Sequence, residues 1–404
     1  MLLHRAAWVV PIAGPVLRDG WVGVEAGRIV ATGLSAAGGI DAVPAFEHGP
    51  YAILPALVNA HTHLELSYMR GLVPPAASFD AWVRQLISLR ARNPDPLADD
   101  IVRAILEAVG EARAAGTGVL GDISNTLVTA RILHDLEMPA HVFHEVLGFK
   151  VTDGGEMVTA ALRRIGDVAQ FAPAVRVSLA PHAPYSVSPA LLTSIAGATA
   201  DAITSMHLGE SPEEAHFLLH GGGPIQVALE SLGAWNPSWT PPRCGPVEYV
   251  EKFGLLSERL LAVHGVQLSY RELAQLSFAN ATLVTCPRSN RWVGVGTPPV
   301  EQFYASGVRV AIGTDSLASV EDLNLFAEMA EIRTLGPKIP ARSILESATR
   351  IGAEALGFGD DYGTIEAGKR AALIAVRVPD GVDDVEEYLL SGISPEDVRW
   401  LAEA

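Results

Sequence analysis

Short apolar runs alternate with longer amphipathic stretches between about residue 53 and residue 335. In one such stretch, Asp99–Ala115, apolar residues recur at helical spacing, which predicts a helix with one buried face. Eight runs have the length of buried strands: Ile53–Val58, Gly118–Asp122, His141–Leu147, Val175–Ala180, Ala202–His207, Leu260–His264, Ala281–Cys286 and Arg309–Thr314. Eight strands that alternate with helices predict an α/β fold with a parallel (β/α)8 TIM barrel rather than an open sheet.

The two ends of the chain have a different pattern. Strand-like segments separated by Gly, Pro and Asp turns lie near both termini: Ala7–Ile12, Trp21–Glu25, Gly27–Thr32 and Ala371–Val376. No long helical pattern separates the three N-terminal segments. We therefore expect residues 1–52 and 356–404 to form a small discontinuous β-sandwich domain, and residues 53–355 to form the barrel.

Composition excludes several classes of protein. Of the 404 residues, 49% are hydrophobic and 19% are charged, which is typical of a globular chain. The formal net charge of −17 argues against nonspecific binding to nucleic acid, although it does not exclude a nucleotide or nucleoside in a closed pocket. Cys244 and Cys286 cannot make a disulfide scaffold, which favours a reducing cytoplasm. No apolar run reaches the roughly 20 residues that span a membrane, and Pro11 interrupts the only segment that resembles a signal peptide.

Polar side chains follow most of the predicted strands, where a (β/α)8 barrel places its functional site. His61 and His63 end the first run, and because alternate side chains of an extended chain point the same way, both can face one metal ion. The polar residues that follow later strands are His182, His207, Glu210, His264, Ser289, Asn290 and Asp315. Six strand ends that each supply a polar group predict one site on a single rim.

Taken in chain order, these residues resemble the amidohydrolase superfamily over nearly the whole chain. The resemblance includes the pair His61 and His63, the strand ends at His207 and His264, the ending at Asp315, and the return Gly363–Lys369 into the small β domain. It implies a barrel with a metal site at its rim.

Within that superfamily, the segment His207–Ser211 resembles the His-Leu-Ala-Glu-Ser strand end of nucleoside-type deaminases related to cytosine, S-adenosylhomocysteine and methylthioadenosine deaminases. Gly209 stands where those enzymes usually have Ala. Three further segments are similar to the aminodeoxyfutalosine deaminases of menaquinone biosynthesis: His63–Ser67, Phe79–Trp82 and Cys286–Arg291. The resemblance implies hydrolytic deamination of an aminated purine nucleoside-like compound, with aminodeoxyfutalosine as a candidate.

The resemblance also implies one divalent metal ion, whose ligands are His61, His63, His207 and Asp315. Zinc suits nitrogen and carboxylate ligands with one position open for water, and Fe²⁺ or Mn²⁺ also fits such a set. No lysine that would bridge a second metal lies near His182. The metal would acidify its water, and the resulting hydroxide would attack the ring carbon that carries the amino group.

We predict three catalytic residues. Glu210 is assigned as general acid and base for the ring nitrogen and the leaving amine. Asp315 is expected to accept a proton from the water as well as to bind the metal, and His264 to orient the water or polarise the tetrahedral centre. Capping of the following helix is the alternative role for Glu210 and for Asp315. The predicted substrate contacts are His182, Glu65, Trp82, Arg288 and Asn290. A structural role stays open for His182, and a role in packing or loop structure for the other four.

Two other functions remain open from the sequence. The same metal site would serve hydrolysis of an amide, an imide or a carbon–halogen bond on a heterocycle, and Glu210 separates these from deamination because attack on an aromatic ring needs ring protonation. A catalytically silent barrel is disfavoured, since the whole ligand set is present. The chain also lacks the Cys/His zinc signature of nucleic-acid deaminases. We expect a small-molecule substrate, no nucleic-acid or membrane partner, a homodimer by resemblance, and a pocket covered by the segment Leu232–Val247.

Overall fold

The computed structural model describes residues 1–35 and 43–401. The strands in this part of the chain are β1 (Leu2–Val9), β2 (Leu17–Glu25), β3 (Arg28–Leu34), β4 (Ala45–Glu47), β5 (Tyr51–Pro55), β6 (Leu57–Thr62), β7 (Thr117–Ser124), β8 (Ala140–Val146), β9 (Arg176–Pro181), β10 (Thr204–Leu208), β11 (Leu260–His264), β12 (Thr282–Thr285), β13 (Arg309–Ile312), β14 (Leu373–Arg377) and β15 (Val398–Trp400).

The α-helices in the same ranges are α1 (Phe79–Arg90), α2 (Asp99–Ala114), α3 (Val128–Asp135), α4 (Gly155–Phe171), α5 (Pro189–Ala198), α6 (Pro212–His220), α7 (Gly223–Ser231), α8 (Pro246–Glu251), α9 (Tyr270–Phe278), α10 (Pro287–Val293), α11 (Val300–Ala305), α12 (Leu325–Leu335), α13 (Ala341–Ser347), α14 (Arg350–Ala355) and α15 (Val385–Tyr388). Short 3-10 helices span Leu64–Met69 and Pro395–Asp397. None of these helices is long and apolar enough to cross a membrane.

Two parallel four-stranded sheets form the centre of the molecule. Their strands follow chain order, β6-β7-β8-β9 in one sheet and β10-β11-β12-β13 in the other. Every residue of β7, β8, β10, β11 and β12 is buried, as expected for parallel strands that are covered on both faces. This burial explains the continuous apolar runs in the sequence, and it confirms the predicted α/β class with parallel sheets.

Hydrogen bonds join the two central sheets at both pairs of facing edges. The backbone N–H of Asp315 donates to the carbonyl oxygen of His61 at 3.0 Å. The Asn59 side chain contacts Thr314 twice beside it, at 2.7 and 3.1 Å. At the other junction, the His207 N–H donates to the carbonyl oxygen of His182 at 2.9 Å. The carboxyl ends of strands from both sheets therefore lie near each other.

The first predicted strand, Ile53–Val58, is divided between two sheets. β5 ends at Pro55 and pairs with β1 and β14, whereas β6 begins at Leu57 and pairs with β7. Both strands are buried along most of their length, so the apolar run is continuous across the break. The strand pairing thus changes from the small sheet to the central sheets after Pro55.

Both ends of the chain contribute to the small sheet, as predicted. Its strand order is β15-β14-β5-β1-β2-β3, and β4 also pairs with β1. The packing of these strands as a sandwich stays a prediction, and the pairing joins all seven strands in one sheet. The reason is β1, which pairs with β2 on one side and with β4 and β5 on the other. A strand pattern read along the chain does not show such shared neighbours.

Candidate active site

Four side chains meet where the two central sheets join. His61 lies in β6, His63 follows it, His207 lies in β10, and Asp315 follows β13. Potential ligand atoms of the three histidines all lie within 4.8 Å of one another, and Nε2 of His63 is 3.3 Å from Nε2 of His207. Oδ1 of Asp315 is 3.7 Å from Nε2 of His61 and 3.5 Å from Nε2 of His63. The structure therefore brings together all four predicted ligands.

The backbone is strained at two of the strand ends that form this cluster. His264 has φ = 78° and Asp315 has φ = 64°. Placing a residue that has a Cβ atom in this left-handed region costs roughly 1–2 kcal/mol of conformational free energy. Such strain is concentrated at functional sites. The surrounding hydrogen bonds hold both side chains toward the cluster in spite of this cost.

One carbonyl oxygen fixes the orientation and the tautomer of His207. The carbonyl of His182 accepts hydrogen bonds from both the backbone N–H and Nδ1 of His207, at 2.9 and 3.0 Å. Because a carbonyl can only accept, Nδ1 carries the ring proton and Nε2 has a free lone pair. Burial lowers the pKa of His207 to about 4, so the ring is neutral at physiological pH, as a metal ligand must be.

The cluster has unsatisfied groups that a divalent cation would satisfy. Both ring nitrogens of His61 are buried and have no hydrogen-bond partner within the described ranges, and an unpaired buried polar group costs about 1–3 kcal/mol. Two imidazole nitrogens that bind one tetrahedral zinc ion at about 2.1 Å lie roughly 3.3–3.4 Å apart, which matches the separation of His63 and His207. Three imidazoles and the carboxylate of Asp315 therefore fit one divalent metal ion.

Glu210 lies beside this cluster and is buried. Its Oε1 atom is 3.6 Å from Nε2 of His264. Burial, followed by the charges of Asp315 and Glu214, raises the pKa of Glu210 well above its usual range. This shift favours the protonated form of the carboxyl group, which suits a proton donor.

Other residues cap the helices that Glu210 and Asp315 precede. Ser211 caps α6 by accepting from the N–H of Glu214, while the Glu214 carboxylate accepts from the N–H groups of residues 209 and 210. Asn324 caps α12 through the N–H of Phe326. The capping alternatives for Glu210 and Asp315 therefore lose their support.

Gly209, which stands where similar deaminases usually have Ala, has a packing reason in this chain. Its φ is +63°, and a Cβ atom there would lie 2.4 Å from Cδ2 of Leu268. We expect Gly209→Ala to lower the free energy of unfolding by about 2–4 kcal/mol through left-handed strain and overpacking. Denaturant unfolding measures this loss, and Gly110→Ala in α2, where the new Cβ meets open space, should instead stabilise by about 0.5–1 kcal/mol.

The contribution of Leu268 can be isolated with a double-mutant cycle. Removing the clashing side chain with Leu268→Ala should reduce the additional cost of Gly209→Ala, because only the backbone strain remains. If the double variant lost as much free energy of unfolding as the two single variants together, a steric role for Leu268 would be contradicted.

The predicted substrate contact Glu65 is fully engaged by neighbouring loops. Its Oε1 atom accepts from Arg90 at 2.7 Å and from the N–H of Asn125 at 3.1 Å. Its Oε2 atom accepts from the hydroxyls of Ser124 and Thr126 at 2.9 and 2.8 Å, and from the Thr126 N–H at 3.2 Å. These bonds tie the turn after β6 to the turn after β7, a structural role.

The other predicted contacts have different surroundings. Trp82 is buried in an apolar cluster with Phe79 and other residues of this region. The Arg288 guanidinium pairs with Asp322 at 2.7 Å and lies near two further carboxylates. Asn290 contacts His264 at 3.0 Å. The remaining residue, His182, stays beside the cluster, with its ring centre 4.9 Å from that of His207.

Glu145 lies at the site although the sequence interpretation did not include it. This buried carboxylate ends β8, and its Oε1 atom lies 3.6 Å from Nδ1 of His207. Its Oε2 atom accepts from the Asn125 side chain at 2.9 Å. The position of Glu145 near the end of the third apolar run was the available signal, since the other strand ends were identified by that rule.

An aromatic cluster lies next to the rim. Phe149 and Phe217 are buried, and the rings of Trp235 and Trp239 pack against them, with Trp239 stacked on Phe217 at 4.4 Å between ring centres. Tyr185 contacts this cluster and also forms an edge contact with His182 at 5.8 Å. The segment Leu232–Val247, predicted to cover the pocket, therefore carries two tryptophans that pack in a cluster reaching His182 through Tyr185.

Comparisons with known proteins agree with this geometry. The model of the amidohydrolase family matches residues 52–388. A 5-methylthioadenosine/S-adenosylhomocysteine deaminase of Desulforudis audaxviator is 31% identical over 93% of this chain and 85% of its own length. An aminodeoxyfutalosine deaminase of Deinococcus radiodurans is 29% identical over 85% of this chain and 84% of its own. The crystal structure of an adenosine deaminase from Xanthomonas campestris with bound zinc has a TM-score of 0.82 and 27% identity, covering 98% of this chain and 90% of that one.

Proposed function

This chain belongs to the amidohydrolase family, and on that premise we propose that it is a divalent-metal-dependent hydrolase that releases ammonia from an aminated purine nucleoside. Membership confirms the resemblance that the strand-end residues indicated. The observation that carries the proposal is the position of Glu210. A buried carboxyl group, whose pKa is raised well above its usual range by burial, lies 3.6 Å from His264, beside three histidines and one aspartate that fit a metal ion.

We propose His61, His63, His207 and Asp315 as the ligands of that ion. A divalent metal at this position supplies Lewis acidity that makes water a nucleophile near neutral pH. Zinc is the first choice, because it suits this donor set and is bound in the similar Xanthomonas structure. Iron and manganese are the alternatives, and elemental analysis of the purified protein identifies the metal.

The side chains around the metal position divide the proton transfers between them. Glu210 donates its proton to the ring nitrogen next to the carbon that is attacked, and so makes that carbon more electrophilic. Asp315, ionised because its histidine neighbours overcome the opposing effect of burial and lower its pKa, accepts a hydrogen bond from the incoming water. His264 donates to the oxygen atom that becomes the product carbonyl. Water adds to the carbon–nitrogen double bond and gives one proton to Asp315. The amino group takes that proton and leaves as ammonia, and the proton of the new hydroxyl group returns to Glu210 as the carbonyl forms.

The surroundings of the cluster favour a planar aromatic substrate. His182 and Tyr185 lie beside the ligand histidines and join them to the aromatic cluster, so a purine ring has apolar faces to contact. We propose aminodeoxyfutalosine as the substrate to test first, because the Deinococcus relative carries that name and matches most of this chain. This choice would place the enzyme in menaquinone biosynthesis.

We also propose that the eight central strands close into one (β/α)8 barrel. The hydrogen bonds at both junctions, from Asp315 to His61 and from His207 to His182, support closure. Two further statements stay predictions: the division of the chain into a barrel and a small β domain formed by both termini, and assembly as a homodimer. Light scattering of the purified protein measures its oligomeric state.

A panel assay tests the proposed function. The metal-loaded protein is mixed with aminodeoxyfutalosine, adenosine, methylthioadenosine or S-adenosylhomocysteine, and ammonia release is measured. We expect turnover of at least one nucleoside, with the highest kcat/KM for aminodeoxyfutalosine. Preference for another nucleoside would keep the reaction and change the substrate. Absence of ammonia from every compound, at full metal occupancy, would contradict deamination.

A further inference from the structure

Helix α10 begins directly after β12 and carries two polar side chains into the protein interior. Ser289 and Asn290 are both fully buried. Buried polar groups almost always have hydrogen-bond partners, and here the partners are Asp315 and His264. The first turns of α10 therefore contact Asp315 and His264, the two residues that act together with Glu210 in the proposed mechanism.

Ser289 determines which oxygen atom of Asp315 faces the histidines. Its hydroxyl donates to Oδ2 of Asp315 at 2.6 Å, and the hydroxyl of Ser319 lies 2.9 Å from Ser289 and 3.3 Å from the same Oδ2. A serine hydroxyl has one proton and can donate one hydrogen bond. Ser289 donates it to Asp315, since an ionised carboxylate can only accept. Oδ2 is thus occupied, and Oδ1 is left toward His61 and His63.

Asn290 acts in the same way on His264. Its Nδ2 atom lies 3.0 Å from Nδ1 of the imidazole. Because an amide N–H only donates, Nδ1 is the acceptor and the ring proton lies on Nε2. That N–H is the group 3.6 Å from Oε1 of Glu210, so His264 presents a hydrogen-bond donor, rather than a base, to the site.

We propose that Ser289 and Asn290 are positioning residues: Ser289 leaves one oxygen of Asp315 free for the ligand cluster, and Asn290 holds His264 in its Nε2–H tautomer. Their effect on turnover rests on the proposed function, whereas the tautomer and the carboxylate orientation do not. Neither residue touches the reacting atoms, so each acts through the side chain that it holds.

An isosteric exchange separates tautomer control from packing. Asn290→Asp keeps the size of the side chain but replaces the donor with an acceptor, which draws the proton of His264 to Nδ1. We expect kcat to fall by about 10²-fold or more, the range seen when one transition-state donor is removed, with KM and zinc content near wild type. Asn324→Asp is the matched control, because Asn324 is a buried amide that caps α12. Unchanged kcat in Asn290→Asp would overturn the assignment.

Nitrogen NMR of zinc-loaded protein with ¹⁵N-labelled histidine reports the tautomer without any substrate. The His264 signals are identified by their loss in His264→Gln. We expect a protonated Nε2 in the wild type and a protonated Nδ1 in Asn290→Asp. A protein that deaminates no compound on the panel but shows these signals would retain this inference and lose the proposed function. A protonated Nδ1 in the wild type would overturn the inference itself.

Zinc affinity tests the part played by Ser289. Ser289→Ala removes the shorter of the two hydrogen bonds to Oδ2 and leaves only the 3.3 Å contact with Ser319, so Asp315 is held less firmly toward the histidines. Competition with a chelator should then show about 10- to 100-fold weaker zinc binding, as is usual when a residue supporting a ligand is lost. Ser347→Ala, which removes a buried hydroxyl of α13, should bind zinc as the wild type does. Equal zinc affinity in Ser289→Ala and the wild type would exclude this role.

Discussion

Glu210→Gln should lower kcat by about 10²- to 10⁴-fold, the usual contribution of a general acid or base. The amide keeps the shape of the side chain but cannot deliver a proton to the ring nitrogen. The cluster of His61, His63 and His207 does not include Glu210, so the metal content should stay at the wild-type level. Steady-state ammonia release and elemental analysis of the same preparation give both quantities.

The control for this exchange is Glu156→Gln. Glu156 is an exposed glutamate in the first turn of α4, so the same loss of charge occurs away from the site, and kcat should not change. Substantial ammonia release by Glu210→Gln would assign the proton transfer to another group. It would also reopen hydrolysis of an amide or carbon–halogen bond, which does not need a protonated ring.

Removal of the metal should abolish turnover and also reduce the stability of the fold. A ligand present at about 100 to 1,000 times its Kd stabilises the native state by roughly 2.7–4.1 kcal/mol, and one buried ring nitrogen of His61 loses its expected partner when the metal is absent. Thermal unfolding of chelator-treated protein should therefore begin at a lower temperature. Added zinc should restore both the unfolding temperature and the activity.

Single histidine variants show whether this response comes from the proposed site. His63→Ala should unfold at the same temperature with and without zinc, since it lacks one of the ligands. His220→Ala, at the exposed end of α6, should respond to zinc as the wild type does. A zinc-dependent rise in the unfolding temperature of His63→Ala equal to that of the wild type would place the stabilising metal elsewhere.

The sequence predicted the central strands well because their burial is uniform. Predicted Leu260–His264 is β11, and predicted Gly118–Asp122 lies within β7. The pattern of Ile53–Val58 predicts a single strand because β5 and β6, which belong to different sheets, follow each other directly and both consist of buried residues at this point. Apolar pattern reports burial, and it does not report which sheet covers a residue.

The meeting of His61, His63, His207 and Asp315 was also predictable, since the ends of parallel strands meet at one edge. The function of the remaining polar residues was not, because their partners are remote in the sequence. Glu65 accepts from Arg90 and from the turn that begins at Ser124. Asn290 contacts His264, which follows a different strand. A motif gives residue types and their spacing. The roles of Glu65 and Asn290 depend instead on which hydrogen-bond partner the fold places next to each side chain.

The position of β14 in the small sheet has a consequence for synthesis of the protein. β14 lies between β5 and β15 and pairs with β5 along Leu373–Arg377. A ribosome makes β5 early and β14 late, so one edge of β5 remains unpaired until the chain beyond Arg377 has left the exit tunnel. Unpaired strand edges favour association between chains. Nascent chains of this protein can therefore associate through the edge of β5 until β14 has emerged, which is after Asp315 has already been made.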